Sequence, residues 1–436
     1  MQAITASPAL VDHESRGRLA VFARGRHLRG PDRNGQRTSK GGHDARQGPA
    51  PDHLHRVRAL RGQQLWGWTV RRIAYLDGIR AMAIGTVLIV HWISSQFSIG
   101  YGGYIGVDIF FVLSGYIITS MLWRRVPSGH LSGEYVRFLK RRMQRLYPAL
   151  IVFVGLTLIL YAIVPGAPLD VRELVGPAGL ALVQGYSFYA AAGANASPFA
   201  ITWSLSVEWI FYLLWPLAIF GARRSGVGVR TVMLWTGAVA AVLYAVSLFQ
   251  EAHWFYYGPL ARVPEIMVGG ILALALSGKE SRALTRSQSR LAAAAAWLSV
   301  SFVLVYTIVG PVQWSPVFRF VGLPLVVASA LYLIWFGQQL PEARFTSMLS
   351  WAPLTFLGRI SYSLYLWHMI GLNLFTRDNI GDLPLPIVAG LAVLTSLALA
   401  LLSYRFLEVP FLKYRRRQGK EDVSLSPENE IPIRSS

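Results

Sequence analysis

The chain has 436 residues, of which 53% are hydrophobic and only 15% are charged, against roughly 25% charged residues in an ordinary soluble domain. This deficit argues against a soluble globular enzyme, and apolar runs of membrane-spanning length favour one multi-pass membrane domain. The sequence contains no cysteine, which excludes a structural disulfide, a thiolate zinc site and an acyl-cysteine intermediate. The formal net charge is +20, and its distribution along the chain is informative.

Residues 1–72 form a basic N-terminal arm, with 14 Lys and Arg against 5 Asp and Glu, a net +9 of the total. The arm is rich in Gly and Pro and lacks apolar periodicity, so we expect it to be disordered. It has no apolar core like that of a signal peptide. We interpret it as a cytoplasmic tail or as sequence upstream of the true start codon, and we expect no nucleic-acid partner.

From Ile73 onward, ten apolar segments are long enough to cross a membrane. They lie at about 79–97, 104–123, 147–164, 203–220, 231–249, 259–276, 291–309, 317–336, 354–375 and 385–404. An eleventh segment, 176–192, is short and has polar residues from Gln184 to Ser187 at its middle. The sequence predicts an all-α polytopic helix bundle, with a transmembrane domain over 73–412 and a disordered cytoplasmic tail over 413–436.

The positive-inside rule decides how many segments cross. Basic clusters lie at Arg71/Arg72, between Arg124 and Arg145, at Arg223/Arg224/Arg230, from Lys279 to Arg290 and from Lys413 to Arg417. Ten crossings with a cytoplasmic N-terminus place all of them in the cytoplasm. An eleventh crossing would move the later clusters outside, so we interpret 176–192 as a re-entrant or interfacial segment. Both termini are therefore predicted to be cytoplasmic.

The first span carries two ionisable residues, Arg80 and His91, which need a reason to lie in a membrane. They are eleven residues apart, about three helical turns, so both project from one face with an axial separation of ~16 Å. Arg80 is expected near the cytoplasmic surface, where it either snorkels or binds a ligand. His91 is expected in the outer half of the membrane, as a reactive group or as an interhelical hydrogen-bonding residue.

Further charged residues are predicted at the depth of His91. They are Asp108, Glu208, Arg262 with Glu265, and His368. Side chains from several helices at one level indicate a common cavity, although the acidic residues are equally explained as structural partners of Arg262. His368 lies among aromatic residues and is also consistent with a packed histidine.

The cytoplasmic side presents a different chemistry, because Arg141, Arg142 and Arg145 precede the third span. Arg142 and Arg145 are three residues apart and therefore share a helix face. Guanidinium groups match phosphate geometry, so the cluster predicts a site for a phosphate-rich ligand. The positive-inside rule alone also explains this charge.

Several motifs resemble those of the acyltransferase-3 integral membrane proteins. They are YLDGIRAMAIGTVLIVHW at 75–92, YIGVDIFFVLSGYII at 104–118, RRMQRLYP at 141–148, TWSLSVEWIFYLLWP at 202–216, GRISYSLYLWH at 358–368 and RFLEVP at 405–410. The match covers about residues 73–412 in the right order. About thirty residues follow the last predicted span, which fits the stand-alone form of the family.

The resemblance implies O-acylation of a sugar or another hydroxyl compound at the cell envelope, with acetyl-CoA as donor. It implies that His91 is catalytic with Arg80 as its partner, and that Arg142 and Arg145 correspond to the arginines of the third-helix motif. The family's second carboxylate and Gln after Glu208 are here Trp209 and Ile210, so only Glu208 can carry that role. Gln184 stands where many relatives have Asn.

We therefore hypothesise an acetyl-CoA-dependent O-acyltransferase of the inner membrane that needs no metal. His91 would be the base or an acyl relay, with Asp108 or Glu208 fixing its tautomer. The donor would bind at Arg141, Arg142 and Arg145. The acceptor, a glycan or glycolipid, would bind near three other residues, namely Arg262, Glu265 and His368. A transporter or flippase of an envelope precursor is the alternative, because intramembrane charges suit it equally well.

Overall fold

The structure of the protein is a computed structural model. It describes residues 74–94, 99–124, 130–164, 170–194, 198–278, 284–375 and 383–410. These residues form helices and connecting loops, and no strand occurs among them, which confirms the all-α class. The predicted arm at 1–72 and the predicted tail at 413–436 lie outside the described residues.

Fifteen α-helices are numbered here in chain order. They are α1 (Ala74–Trp92), α2 (Ile105–Arg124), α3 (Leu131–Ile163), α4 (Val171–Leu182), α5 (Tyr186–Ala191), α6 (Trp203–Arg224), α7 (Val229–Ser247), α8 (Ala252–Tyr257), α9 (Pro259–Ala275), α10 (Arg286–Val309), α11 (Leu323–Gln339), α12 (Arg344–Leu349), α13 (Ala352–Arg359), α14 (Ser361–Leu374) and α15 (Leu385–Ser403). Short 3₁₀-helices cover Tyr101–Tyr104 and Phe199–Thr202, and π-helical turns cover Phe318–Gly322 and Tyr404–Glu408.

Nine helices within the described ranges are long and apolar enough to cross a membrane: α1, α2, α3, α6, α7, α9, α10, α11 and α15, several with their flanking turns. Each corresponds to a predicted span, so the chain is a multi-pass membrane protein. The predicted span at 354–375 differs, because it is divided into α13 and α14 at Ile360 (φ −86°, ψ 2°). Hydropathy depends only on side chains, so it does not detect a break in the helical backbone that the surrounding protein covers.

The third helix begins earlier than predicted. The apolar run predicts a third span that begins at about 147, but α3 runs unbroken from Leu131 through Pro148 to Ile163. Membrane helices tolerate an internal proline because neighbouring groups satisfy the freed carbonyl. The predicted cytoplasmic arginines therefore lie on a helix, where Arg142 and Arg145 are one turn apart.

The weak segment at 176–192 forms two short helices, α4 and α5. Between them Gln184 adopts a φ of 60°, a left-handed conformation that is uncommon for a residue with a side chain. Twelve residues of α4 rise only about 18 Å, less than the ~30 Å apolar core of a bilayer. This geometry fits the interpretation as a segment that enters without crossing.

The bundle has two chemically different ends. At the first, named the histidine end, the chain after α1 pairs with the last turn of α10 and the residues that follow it. The Gly100 amide donates to the Ile308 carbonyl (2.9 Å), and the Tyr104 hydroxyl donates to the Pro311 carbonyl (2.9 Å). At the other, named the basic end, the start of α1 packs on α11, where the Gln338 amide donates to the Tyr75 hydroxyl (2.7 Å).

Helices α2 and α9 approach each other most closely at two glycines. A Cβ atom at Gly115 would overlap the carbonyl oxygen of Ile266, and one at Gly269 would overlap that of Val112. Small residues at such a contact let helix backbones come together and gain dispersion energy in a membrane. This contact sets the position of α9 relative to α2.

We predict that Gly269→Ala lowers the stability of the protein by about 1–3 kcal/mol, because the added methyl overpacks the α2–α9 contact. The matched control is Gly155→Ala in α3, where an added Cβ meets nothing within 4 Å. That change removes a flexible helical residue and should leave stability unchanged or raise it. Thermal unfolding in detergent measures both, and an equal response of the two variants would contradict the close contact.

Candidate functional site

Helix α1 carries Arg80 and His91 on one continuous helix. The helix rise therefore separates them by ~16 Å along the axis, with Arg80 towards the basic end and His91 towards the histidine end. Arg80 is largely buried, and its nearest carboxylate is that of Asp77, 4.0 Å from Nη1. One helix thus carries a guanidinium group at the basic end and an imidazole at the histidine end.

A cavity of about 100 Å³ opens beside Arg80. A volume of this size accommodates several water molecules or a slender chain. Its polar and charged lining comes from five helices and comprises Arg80, Ser114, Arg142, Arg145, Ser204, Glu208, Tyr212, Ser361, Tyr362 and Tyr365. Three guanidinium groups against one carboxylate make it electropositive, as an anion site requires.

Glu208 is held in this cavity by two hydroxyl groups. Ser114 donates to its Oε1 (2.6 Å) and Tyr212 to its Oε2 (2.5 Å). The guanidinium of Arg142 lies over the rings of Phe138 (5.4 Å) and Tyr212 (5.3 Å). These contacts fix a carboxylate and a guanidinium in the same wall, so the site is arranged before any ligand arrives.

The three arginines of the predicted donor site differ in position. Arg142 and Arg145 line the cavity, whereas Arg141 is absent from its lining. Neighbouring residues on a helix point about 100° apart, so Arg141 and Arg142 cannot both face one cavity. The structure thus brings two of the three together with Arg80.

His91 and His368 form a pair at the other end of α1. Their rings meet edge to face with centroids 4.8 Å apart. His91 Nδ1 lies 2.8 Å from the Val87 carbonyl, and His368 Nδ1 lies 2.8 Å from the Tyr365 carbonyl. Because a carbonyl only accepts, each Nδ1 carries the hydrogen, and Nε2 is the unprotonated nitrogen in the neutral ring.

His368 is completely buried, and its Nε2 has no hydrogen-bond partner. The backbone carbonyl of His368 accepts from Trp92 Nε1 (2.9 Å) and from Ser396 Oγ (3.2 Å). Helix α14 is therefore attached to α1 and α15 at the level of the histidine pair. An unsatisfied buried acceptor of this kind has a function or an unseen partner to explain it.

Asp108, Arg262 and Glu265 form a separate ion cluster. Arg262 Nη1 donates to Asp108 Oδ1 (2.8 Å) and to Glu265 Oε1 (2.7 Å), and Arg262 Nε donates to the Tyr256 carbonyl (2.7 Å). All three side chains are at least 97% buried. Two carboxylates on one guanidinium offset the cost of burying each charge.

The residues expected in one shared cavity fall into three groups, so that expectation is wrong. Only Glu208 lines the cavity, together with the arginines, while Asp108 and Glu265 bind Arg262, and His91 contacts His368. The tautomer of His91 is set by a backbone carbonyl rather than by a carboxylate. Depth along a helix was estimated from the sequence, but the direction in which each side chain points was not.

Several lining residues were missed in the sequence. Tyr212 lies four residues after Glu208, a helical spacing that could have identified it. Ser361 begins α14, is 1% exposed, and its hydroxyl has no hydrogen-bond partner. Ser363, two residues further and outside the cavity lining, donates to Glu408 in the π-helical turn, and no local pattern indicates that contact. Among the described residues, no group of three His, Asp or Glu side chains is placed to hold a metal.

Comparison with known proteins places these features in a family. The family model described as an acyltransferase domain, acyltransferase-3, matches residues 73–405. YrhL of Bacillus subtilis is 30% identical over 372 residues, 81% of this chain and 56% of that protein. The O-acetyltransferase OatA of Staphylococcus aureus is 28% identical over 79% of this chain and 58% of its own length.

The peptidoglycan O-acetyltransferase OatA of Listeria monocytogenes is 29% identical over 78% of this chain and 55% of its own length. The chain thus spans just over half the length of these relatives. No solved structure matches it significantly.

We predict that Arg262→Met destabilises the protein by about 3–5 kcal/mol, because two buried carboxylates lose their cation. Replacing all three charges together, as Arg262→Met, Asp108→Leu and Glu265→Met, should recover most of this loss, since an apolar cluster leaves no unpaired charge. Thermal unfolding in detergent measures both variants. A single Arg262→Met variant as stable as the native protein would contradict the ion cluster.

Proposed function

Because the chain belongs to the acyltransferase-3 family, we propose that it is a membrane O-acyltransferase that moves an acetyl group from cytoplasmic acetyl-CoA to a hydroxyl of an extracytoplasmic carbohydrate. The observation that carries this proposal is α1, which joins an electropositive cavity at Arg80 to a histidine pair at His91. An anionic donor and a hydroxyl-bearing acceptor would each find suitable chemistry at one end of the bundle.

The electropositive cavity would hold the donor's phosphates. Arg80, Arg142 and Arg145 supply forked donors, and hydrogen bonds from charged groups to phosphate are short and strong. Glu208 would keep two of the neighbouring hydroxyls oriented. The ~16 Å from Arg80 to His91 is of the same order as an extended pantetheine arm, so the thioester would reach the histidine pair.

His91 would act as the general base through Nε2. As the acceptor hydroxyl attacks the thioester carbonyl, Nε2 takes the hydroxyl proton and the carbonyl oxygen becomes an oxyanion. When the carbon–sulfur bond breaks, the imidazolium returns that proton to the thiolate of CoA. The Val87 carbonyl, which accepts from Nδ1, would stabilise the charged ring throughout.

A covalent relay is the alternative chemistry at the same nitrogen. Nε2 would attack the thioester, release CoA and carry the acetyl group until the acceptor hydroxyl displaces it. His368 would then take the acceptor's proton. Its ring centroid lies 4.8 Å from that of His91, and its Nε2 has no hydrogen-bond partner. Both routes use His91 Nε2, and only the relay also needs His368.

The buried ion cluster would act indirectly. Asp108, Arg262 and Glu265 are too deeply buried to touch an acceptor that approaches from outside, so we assign them a positioning role. The binding role expected for Arg262 and Glu265 from the sequence becomes support of the surrounding helices and rings. Glu208 is likewise assigned to the donor cavity.

The acceptor class follows from the relatives, since OatA of Listeria monocytogenes is named a peptidoglycan O-acetyltransferase. We propose a hydroxyl-bearing envelope glycan, reached from the outer side of the cytoplasmic membrane. By the positive-inside rule, the basic clusters support a cytoplasmic location for both termini in this proposal. The transporter alternative has no support from the family or from these relatives.

We predict that His91→Ala lowers acetyl transfer by about 10²–10⁴-fold, because the general base is lost. The matched control is His130→Ala, an exposed histidine directly before α3, which should retain native activity. CoA release and mass spectrometry of the acetylated glycan measure both variants, and thermal unfolding checks the fold. Turnover at the native rate in folded His91→Ala would refute the role of His91.

We also predict that Arg142→Ala and Arg145→Ala each raise KM for acetyl-CoA by about tenfold, the loss of one charge-assisted hydrogen bond. Arg141→Ala removes the same charge one residue away but outside the cavity, so it should change KM less than about twofold. Equal effects of all three variants would mean that general positive charge, and not the cavity, attracts the donor. Steady-state kinetics over a range of acetyl-CoA concentrations decides between the two.

A further inference from the structure

Three aromatic side chains, named the aromatic platform, lie together at the histidine end: His253, Tyr257 and Trp314. The rings of His253 and Trp314 are nearly parallel, 4.5 Å apart with an interplanar angle of 15°. Tyr257 contacts both rings, at 6.2 and 5.7 Å. His253 is exposed and Trp314 is 36% exposed, so the platform presents flat ring surface at the outside of the bundle.

The platform has a rigid support. Beneath it the Arg262 guanidinium is surrounded by four rings, at 4.7 Å from Tyr256, 5.6 Å from Phe318, 5.7 Å from Phe255 and 5.9 Å from Trp203. The Tyr256 ring also contacts Tyr257 and Trp314, at 4.9 and 5.5 Å. Cation–π attraction in a desolvated site holds such rings in place. A ligand on the platform would therefore lose little affinity to ordering of the protein.

Contacts lead from the platform to the histidine pair. Tyr257 packs on Trp203 at 5.2 Å, and the next residue, Ser204, shares a hydrogen bond with the Tyr365 hydroxyl (2.7 Å). Tyr365 contacts His368 at 5.8 Å, and His368 contacts His91. Trp203 also touches Phe111 (6.0 Å), which lines the donor cavity. The platform is thus continuous with both halves of the proposed site.

The chemistry of the platform fits a sugar ring. One face of a pyranose is a layer of C–H groups, which pack on the electron-rich face of an aromatic ring, while hydroxyl groups at the edge need polar neighbours. The chain around the platform supplies such neighbours in the exposed Glu251 and the half-buried Gln313. A histidine stacked on tryptophan, with polar residues beside it, is unlike the isolated Trp and Tyr that anchor helices to lipid headgroups.

We propose that the aromatic platform binds the acceptor glycan by stacking one of its amino-sugar rings, while another part of the same glycan presents its hydroxyl to His91. This inference rests on the proposed function for the identity of the ligand. The Arg262 ion cluster then has a positioning role, because it holds the Tyr256 ring against which Tyr257 and Trp314 pack.

The test uses the full chain in lipid nanodiscs and a tetrasaccharide of alternating N-acetylglucosamine and N-acetylmuramic acid, without acetyl-CoA. Saturation-transfer NMR and calorimetry measure binding. Trp314→Ala should weaken Kd by about tenfold or more, as expected for a central aromatic contact. Trp314→Phe keeps a flat ring and should retain most of the affinity. The exposed His253 offers a second variant, His253→Ser, which should weaken binding without disturbing the fold.

The matched control is Trp351→Ala, a 62% exposed tryptophan before α13 at the basic end, which should bind like the native protein. Native-like binding by Trp314→Ala and His253→Ser, or no binding by the native protein, would overturn the proposal, and equal weakening by Trp351→Ala would identify a lipid-anchoring effect instead. CoA release is measured separately. If it depends on His91 while glycan binding does not depend on the platform, the platform proposal fails and the proposed function stands.

Discussion

A guanidinium group without access to water has to be neutralised inside the protein, and Arg262 is neutralised by Asp108 and Glu265. Asp108 lies on α2 and the other two residues on α9, so the ion cluster joins the two helices that the contacts at Gly115 and Gly269 bring together. In a medium without water, separating these charges is costly. The cluster therefore sets how α2 and α9 pack, and the rings around Arg262 depend on it.

The second consequence of this architecture is a separation of chemistries. Guanidinium groups collect at one end of α1 and imidazoles at the other, and α14 runs along the same path, from Ser361 in the donor cavity to His368 beside His91. Helix α14 has only 14 residues, about 21 Å. Because the chain breaks at Ile360, α14 begins at Ser361, which lines the cavity.

The sequence predicted the elements of the site better than their partners. Arg80 and His91 were placed correctly on one helix because helical spacing is a local property. Asp108 was expected near His91, since both have a similar depth, but its carboxylate faces Arg262. Depth follows from the count of apolar residues, whereas direction depends on helix rotation and tilt. The stacking of His253 on Trp314 joins α8 to the turn after α10, far apart in sequence, and had no local signal.

The amino-acid sequence by itself determined the multi-pass α-helical architecture and the family. It also determined that one end of α1 carries Arg80 and the other carries His91. Apolar length and helical periodicity are local properties that can be read residue by residue. Tertiary structure alone decided which carboxylate meets which cation, that α13 and α14 are separate helices, and that aromatic rings lead from the surface to His91. Those features depend on how helices rotate and pack against one another, and packing is a property of the whole bundle.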